Sequence, residues 1–342
     1  MHIKPFAVEQ WMNAHETTAR WNTAETCVDS LRVDELLALA GDGDAVLRRL
    51  LETKLSYGHI SGSPELRAAI AALYGERITP DHVITTNGAI GANFLSLFAL
   101  VEPGDTVVCV RPTYQQLYSV PEALGARVRL LSLREEDAYL PDVDELRNLV
   151  DDSTRLIILN NPNNPTGALI DEPLLREIVA VAREHGAWIH RDEVYRKLEH
   201  EPGTTSPSIA DLYEKGVSSG SMSKRCSLAG LRTGWVAGSP ALIESSLETV
   251  RGNLAIVDEW LGREPRLHSV RQRAGTTALV RYDYQVPSAE LCQAMFDFNG
   301  AFVVPGIAFG EEHSLRLGYA CACDVLVGGL AAISEYLRTL EA

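Results

Sequence analysis

The chain has 342 residues, 46% of them hydrophobic and 23% charged, which suits a large α/β domain with a sizeable core plus a smaller domain. Its 31 Lys and Arg against 46 Asp and Glu leave a net charge of -15. A field of that sign repels nucleic acid and anionic membranes, so an anionic cofactor must be held by a local cluster of donors.

The N-terminal MHIKPFAVEQWMNAHE has no signal-peptide apolar run, and no stretch approaches membrane-spanning length. Cys27, Cys109, Cys226, Cys292, Cys321 and Cys323 follow neither a disulfide framework nor a zinc-ligand spacing. Reduced thiols in a cytoplasmic protein are expected.

The first 40 or so residues are irregular with helical patches. From about residue 63 to 240, short apolar runs alternate with helical periods. The pattern predicts strands at VITT (83–86), TVVCV (106–110), VRLLSL (128–133), RLIILNN (155–161) and AWIHRDE (187–193). Helices are predicted from Gly88 to Leu100, through QQLYSVPEAL, at VDELRNLV (143–150) and at LLREIVAVAREHG (174–186). Strands apolar throughout, alternating with amphipathic helices, imply an α/β fold with a mostly parallel sheet covered on both faces. After residue 245 the strands TTALVRYDY (276–284) and SLRLGYA (314–320), with helices at AELCQAMFDF and LVGGLAAISEYLRTL, imply an α+β layer. The expected division is a large domain over 41–245 and a small one from 1–40 plus 246–342.

Four segments carry candidate chemistry. SMSKRCSLAGLRTGW (221–235) puts Ser221, Ser223, Lys224 and Arg232 in one loop, hydroxyls and a guanidinium for a phosphate beside an amine able to form an imine. NNPNNPTG (160–167) follows an apolar strand, where open α/β sheets place ligand contacts; alone it is equally a plain Asx-Pro turn. HRDEVYRKL (190–198) offers Asp192 and Tyr195 to one cleft, although a lone Asp is more often a helix cap. TNGAIGANF (86–94) offers the backbone N–H groups of Gly88, Ala89 and Ile90 to a phosphate, and Tyr114 in RPTYQQLY is a candidate for stacking on a flat ring or for plain surface packing.

Together these segments resemble the fold-type-I, pyridoxal phosphate (PLP)-dependent aminotransferase superfamily, class I/II. The landmarks run in chain order: SYGHISGSPELR (56–67), NGA (87–89), PTY (112–114), NNPTG (163–167), DEVY (192–195), SMSK…R (221–232) and LRLGYA (315–320). The resemblance implies a seven-stranded type of sheet in the PLP-binding domain and a homodimer with shared active sites. It also implies an aminotransferase that moves the α-amino group of an amino acid to a keto acid through a Schiff base on Lys224. Asp192 would pair with the pyridine nitrogen, Asn164 and Tyr195 with the ring oxygen, and Tyr114 would stack on the ring. Gly88, Ala89, Ile90, Ser221, Ser223 and Arg232 would bind the phosphate, with Tyr57 reaching the neighbouring subunit's phosphate. Arg316 would take the substrate carboxylate beside Asn164.

Two features depart from that pattern. WNTAETCVDSL (21–31) lacks the Gly-Pro-rich segment common in the family and carries Glu25 and Asp29. It loosely resembles capreomycidine-synthase-like enzymes, PLP-dependent lyase/cyclases that act on a cationic amino acid, and Glu25 is a candidate for binding such a side chain. The spacing from Lys224 to Arg316 is also several tens of residues shorter than the family pattern, with the shortfall between SPALIESSLE (239–248) and RGNLAIVDEWL (251–261).

Overall fold

The protein is described by a computed structural model covering residues 3–54, 58–59, 61–201, 203–235, 252–273, 276–319 and 323–340. The chain begins with α1 (Ala7–His15), a short β1 (Trp21–Asn22), and the helix pair α2 (Val33–Leu39) and α3 (Gly43–Glu52). Helix α4 (Pro64–Ala71) is capped by Ser63, which accepts from Leu66 N with Pro64 at the first turn.

The expected strand at 83–86 shrinks to β2 (Thr86–Asn87), because Thr85 N donates to Ser61 O instead of to a neighbouring strand. Then come α5 (Gly88–Leu100), β3 (Thr106–Arg111), α6 (Gln116–Leu124), β4 (Arg127–Ser132), α7 (Val143–Leu149) and β5 (Thr154–Asn160). They continue with α8 (Glu172–Glu184), β6 (Trp188–Asp192), α9 (Ile209–Leu212), β7 (Gly216–Ser219) and β8 (Thr233–Gly234).

The five strands pair in parallel in the order β4-β3-β5-β6-β7. Leu156, Ile157, Ile158 and Leu159 of β5 are completely buried, as expected for a central strand covered on both faces. Each such side chain contributes about 2 kcal/mol of transfer free energy. Strands β2 and β8 pair antiparallel as a separate two-stranded sheet, and Ser221, just after β7, makes a single bridge to Gly234 of β8, so the expected seven-stranded sheet is five parallel strands with this pair beside them. The register brings β5, β6 and β7 to a common edge: Asn160 lies opposite Asp192, and Asp192 opposite Ser219. That carboxyl edge is where the candidate side chains gather.

Beyond it lie a helix α10 over 252–261, then β9 (Leu267–His268), β10 (Thr277–Tyr282), α11 (Ser288–Asn299), β11 (Ala301–Phe302), β12 (Val304–Pro305), β13 (Ser314–Gly318) and α12 (Cys323–Thr339). Strands β12-β13-β10-β9 form an antiparallel sheet, and β1 pairs with β11. The N-terminal segment is thereby stitched to the C-terminal layer, where Thr23 N and Oγ1 both donate to Phe302 O. Gly318 allows this approach. A Cβ there would sit 1.7 Å from Glu25 O, so a side chain at that position would expel the loop carrying Glu25.

Candidate active site

At the carboxyl edge, Asp192 is buried at the end of β6. Its Oδ2 accepts from Asn93 Nδ2 at 2.8 Å and its Oδ1 from Val194 N at 3.0 Å. Burial pushes its carboxyl group above the ordinary value, while Asn93, Val194 N and the charge of Lys224 pull the other way. The adjacent turn is locked by its own side chains: Asn160 Oδ1 accepts from Asn164 N at 2.7 Å, and Asn163 Oδ1 accepts from Thr166 Oγ1 at 2.8 Å. Asn164 consequently turns its carboxamide toward Arg316, whose Nη1 donates to Asn164 Oδ1 at 3.4 Å.

Lys224 follows β7 in a tight loop where Ser223 N donates to Ser221 Oγ at 3.2 Å. Its Nζ donates to Thr26 Oγ1 and, at 3.3 Å, to Cys27 Sγ, and it lies 5.8 Å from the centre of the Tyr195 ring. Burial works against the ammonium, but Cys27, Tyr195 and Glu25 outweigh it and hold Lys224 above its usual range. Arg232 sits just before β8 with a φ of 51°, its guanidinium against the first turn of α5. Gly88, with a φ of 71°, makes room: a Cβ there would lie 2.8 Å from Arg232 Nη2. A guanidinium, two serines and the uncapped start of α5 thus surround a recess that fits a phosphate dianion. A buried carboxylate and an amine in the same cavity fit the pyridine nitrogen and aldehyde of PLP.

The opposite wall is acidic. Glu25 Oε1 accepts from Thr26 N at 2.7 Å and Cys27 N at 2.9 Å. Burial opposes its charge, yet the Lys224 ammonium and these two N–H groups hold Glu25 at about 2. Glu16 is pushed up by partial burial and by the neighbouring Glu25. Glu9 accepts from Tyr114 OH at 3.0 Å. Arg316 on β13 donates through Nη2 to Ala24 O at 3.0 Å, while its buried Nε has no hydrogen-bond partner. Burial pulls the guanidinium below its ordinary value.

One cavity of about 280 Å³ collects Ala89, Ile90, Tyr114, Asn164, Asp192, Tyr195, Ser221, Ser223, Lys224, Arg232, Arg316 and Glu25. Gly88 stands behind Ala89 against Arg232. Asp29, expected beside Glu25, is instead exposed and outside the cavity, because the chain turns outward after the buried Val28. Tyr57 and the short stretch at 236–251 lie outside the described residues. Sequence reasoning missed Glu9, Glu16, Thr26, Cys27 and Asn93, all of which line the cavity. Among the described residues no cluster of metal-ligating side chains occurs, and no helix is long and apolar enough to cross a membrane.

Residues 43–259 match the family aminotransferase class I and II. Capreomycidine synthase of Streptomyces vinaceus is 33% identical over 369 aligned residues, which cover 97% of this chain and 93% of that protein. A PLP-dependent aminotransferase from Streptococcus suis 89-1591 superposes with a TM-score of 0.94 at 37% identity over 99% of both chains. The PLP-dependent cyclase OrfR does so with a TM-score of 0.89 at 26% identity, over 99% of this chain and 98% of its own. The chain therefore belongs to the class I and II aminotransferase family, and its cofactor is pyridoxal phosphate.

Proposed function

We propose that this enzyme is an aminotransferase that takes the α-amino group from a cationic amino acid and passes it to a keto acid. The observation that carries the reading is that Lys224 Nζ, the Asp192 carboxylate and the Arg316 guanidinium line one cavity whose remaining wall bears Glu9, Glu16 and Glu25. When bound, PLP supplies an aldehyde for an amine and a ring that withdraws electrons from the substrate's Cα.

The chain's own residues do the rest. Asp192 would pair with the ring nitrogen, and Asn164 and Tyr195 with the ring oxygen. Tyr114 would stack on the ring. Gly88, Ala89, Ile90, Ser221, Ser223 and Arg232 would hold the phosphate. Arg316 has an unpaired Nε donor for the α-carboxylate, whose bidentate geometry a guanidinium matches. That contact orients the substrate so that its Cα hydrogen faces Lys224. Lys224 Nζ, once free, would accept this proton as a general base. Glu25, held ionised, meets a positively charged side chain, and an apolar one would leave it desolvated and unpaired.

A second reading, a lyase or cyclase acting on a cationic amino acid, uses the same lysine and cofactor. It is favoured by Glu16 and Glu25 lining the same cavity, with Glu16 pushed up by burial and by Glu25 so that it can hold or release a proton near the side chain, and by the likeness to capreomycidine synthase. Incubation with arginine, lysine or ornithine, with and without a keto acid, separates the two. Stoichiometric keto acid and new amino acid support transfer; loss of ammonia or water without an acceptor supports elimination.

The division into a large domain over 41–245 and a small one from 1–40 and 246–342 belongs to the same reading. So does a homodimer, in which Tyr57 serves the partner's phosphate; the exposed Leu95 and Phe98 on α5 support such a contact. A cytoplasmic address accords with the five described cysteines, none of them in a disulfide.

A further inference from the structure

Behind Asp192 lies a polar cluster buried in an otherwise apolar part of the fold. Helix α5 reads GAIGANFLSLFAL, and Asn93 is the one residue in it with a carboxamide. Strand β6 reads WIHRD, with His190 completely buried. Asn93, Gln116 and Ser219 are buried as well. Such groups are costly unless every donor and acceptor is matched.

In Asn93 all four are matched. Nδ2 donates to Asp192 Oδ2 at 2.8 Å and to Gln116 Oε1 at 3.3 Å. Oδ1 accepts from Ser219 Oγ at 2.5 Å and lies 3.0 Å from His190 Nε2. Gln116 is itself oriented, since its Nε2 donates to Ile90 O at 2.8 Å. The carboxylate of Asp192 only accepts, so the amide must present Nδ2 to it and Oδ1 to the other side. His190 must then carry its proton on Nε2. Its Nδ1 has no partner, and burial holds the ring at about 4, so it carries a single proton at neutral pH.

We infer that Asn93 is a positioning residue for Asp192: its amide, locked by Ser219, His190 and Gln116, holds the carboxylate in the ionised form and aimed into the cavity, so that the proton of the Asp192–pyridine pair stays on the cofactor nitrogen. The inference rests on the reading of Asp192 as the partner of that nitrogen. Only one proton is at issue, and it resides either on the ring nitrogen or on an Asp192 oxygen. A donor to Oδ2 stabilises the anion and favours the first arrangement. Removing the donor raises the proton affinity of Asp192 and moves the proton toward it, weakening the ring's electron withdrawal.

The test uses PLP labelled with nitrogen-15 in the ring, bound to the wild type, Asn93→Leu, Asn93→Ser and Asp192→Asn. The resonance of the ring nitrogen and the Kd for pyridoxamine phosphate are measured alongside unfolding midpoints. Asn93→Leu keeps the volume without the donor. Asn93→Ser is a smaller polar change, one bond too short to reach Asp192, and it decides the matter where the leucine variant does not fold. Both Asn93 variants are expected to shift the resonance toward the unprotonated value and to weaken pyridoxamine phosphate binding about tenfold, the worth of one charge-assisted hydrogen bond. A purely structural role would lower the unfolding midpoint and leave the resonance in place, which would overturn the inference. A resonance that also stays in place in Asp192→Asn would overturn the reading of Asp192 itself. One that moves in Asp192→Asn but not in the Asn93 variants would overturn the role of Asn93 alone.

Discussion

The two walls of the cavity are built by different means. The wall at the sheet edge comes from strand ends in register, Asn160, Asp192 and Ser219, with a network behind them in which the Asn93 amide has every hydrogen-bonding position filled. The wall at the mouth is a loop laid over the C-terminal sheet, fastened by Thr23 on Phe302 and Arg316 on Ala24, and bearing carboxylates held in opposite protonation tendencies. The first wall is rigid because it continues a parallel sheet. The second depends on a few hydrogen bonds and on Gly318, where no side chain fits. This contrast teaches that the edge suits chemistry common to a whole family, whereas the mouth is where one member of it can be made to choose its substrate.

Loss of Lys224, where the two walls meet, should have the largest effect. Lys224→Ala is expected to lower kcat by about 10⁴-fold, the upper range for a general base, while the phosphate donors still bind PLP. Absorbance after dialysis and borohydride treatment checks this; a borohydride-stable covalent adduct in the variant would contradict it.

Next in size is Arg316→Ala, expected to reduce kcat/KM for any α-amino acid by about 10²-fold, mostly through KM, as loss of a charge-assisted contact requires. Steady-state kinetics with an amino acid and its decarboxylated amine sharpen the comparison. The variant should barely affect the amine, and an equal loss on both would assign Arg316 to holding the mouth loop through Ala24.

The smallest effect concerns the edge alone. Burial holds His190 at about 4, below its ordinary 6.5, so the unfolded chain takes up the proton first. Stability therefore falls as the pH falls between those values, by about 2 kcal/mol from pH 7 to pH 5. His190→Leu should remove that part of the slope in urea unfolding of the apoprotein. An unchanged slope would show that His190 does not stay neutral in the folded chain.

Much of the edge was legible in the sequence because its residues announce themselves locally. NNPNNPTG, HRDEVY and SMSK…R are clusters of turn formers, hydroxyls and charges close after predicted strands, and the strands β3 and β5 follow from their apolar runs. The mouth was legible at Glu25 and, through the resemblance, at Arg316 and Tyr114. Thr26 meets Lys224 across 198 positions, and Tyr114 meets Glu9 across 105, distances over which no periodicity carries information. Asp29 shows the same limit from the other side: its spacing from Glu25 suggested a pair, and the turn after Val28 separates them. The strand at 83–86 failed because an apolar run does not say which neighbour its backbone will pair with. Asn93 and His190 left a signal that pattern reading passes over, polar side chains at positions the fold buries, where burial demands a partner.

The central claim, that the edge does the chemistry and the acidic mouth selects a cationic amino acid, is tested most directly by kcat/KM for arginine, leucine and glutamate in the wild type and Glu25→Gln. The wild type should prefer arginine, and the variant should lose about tenfold or more on arginine while gaining on leucine, so that the ranking changes. A ranking of the three substrates that is the same in both proteins would contradict the account.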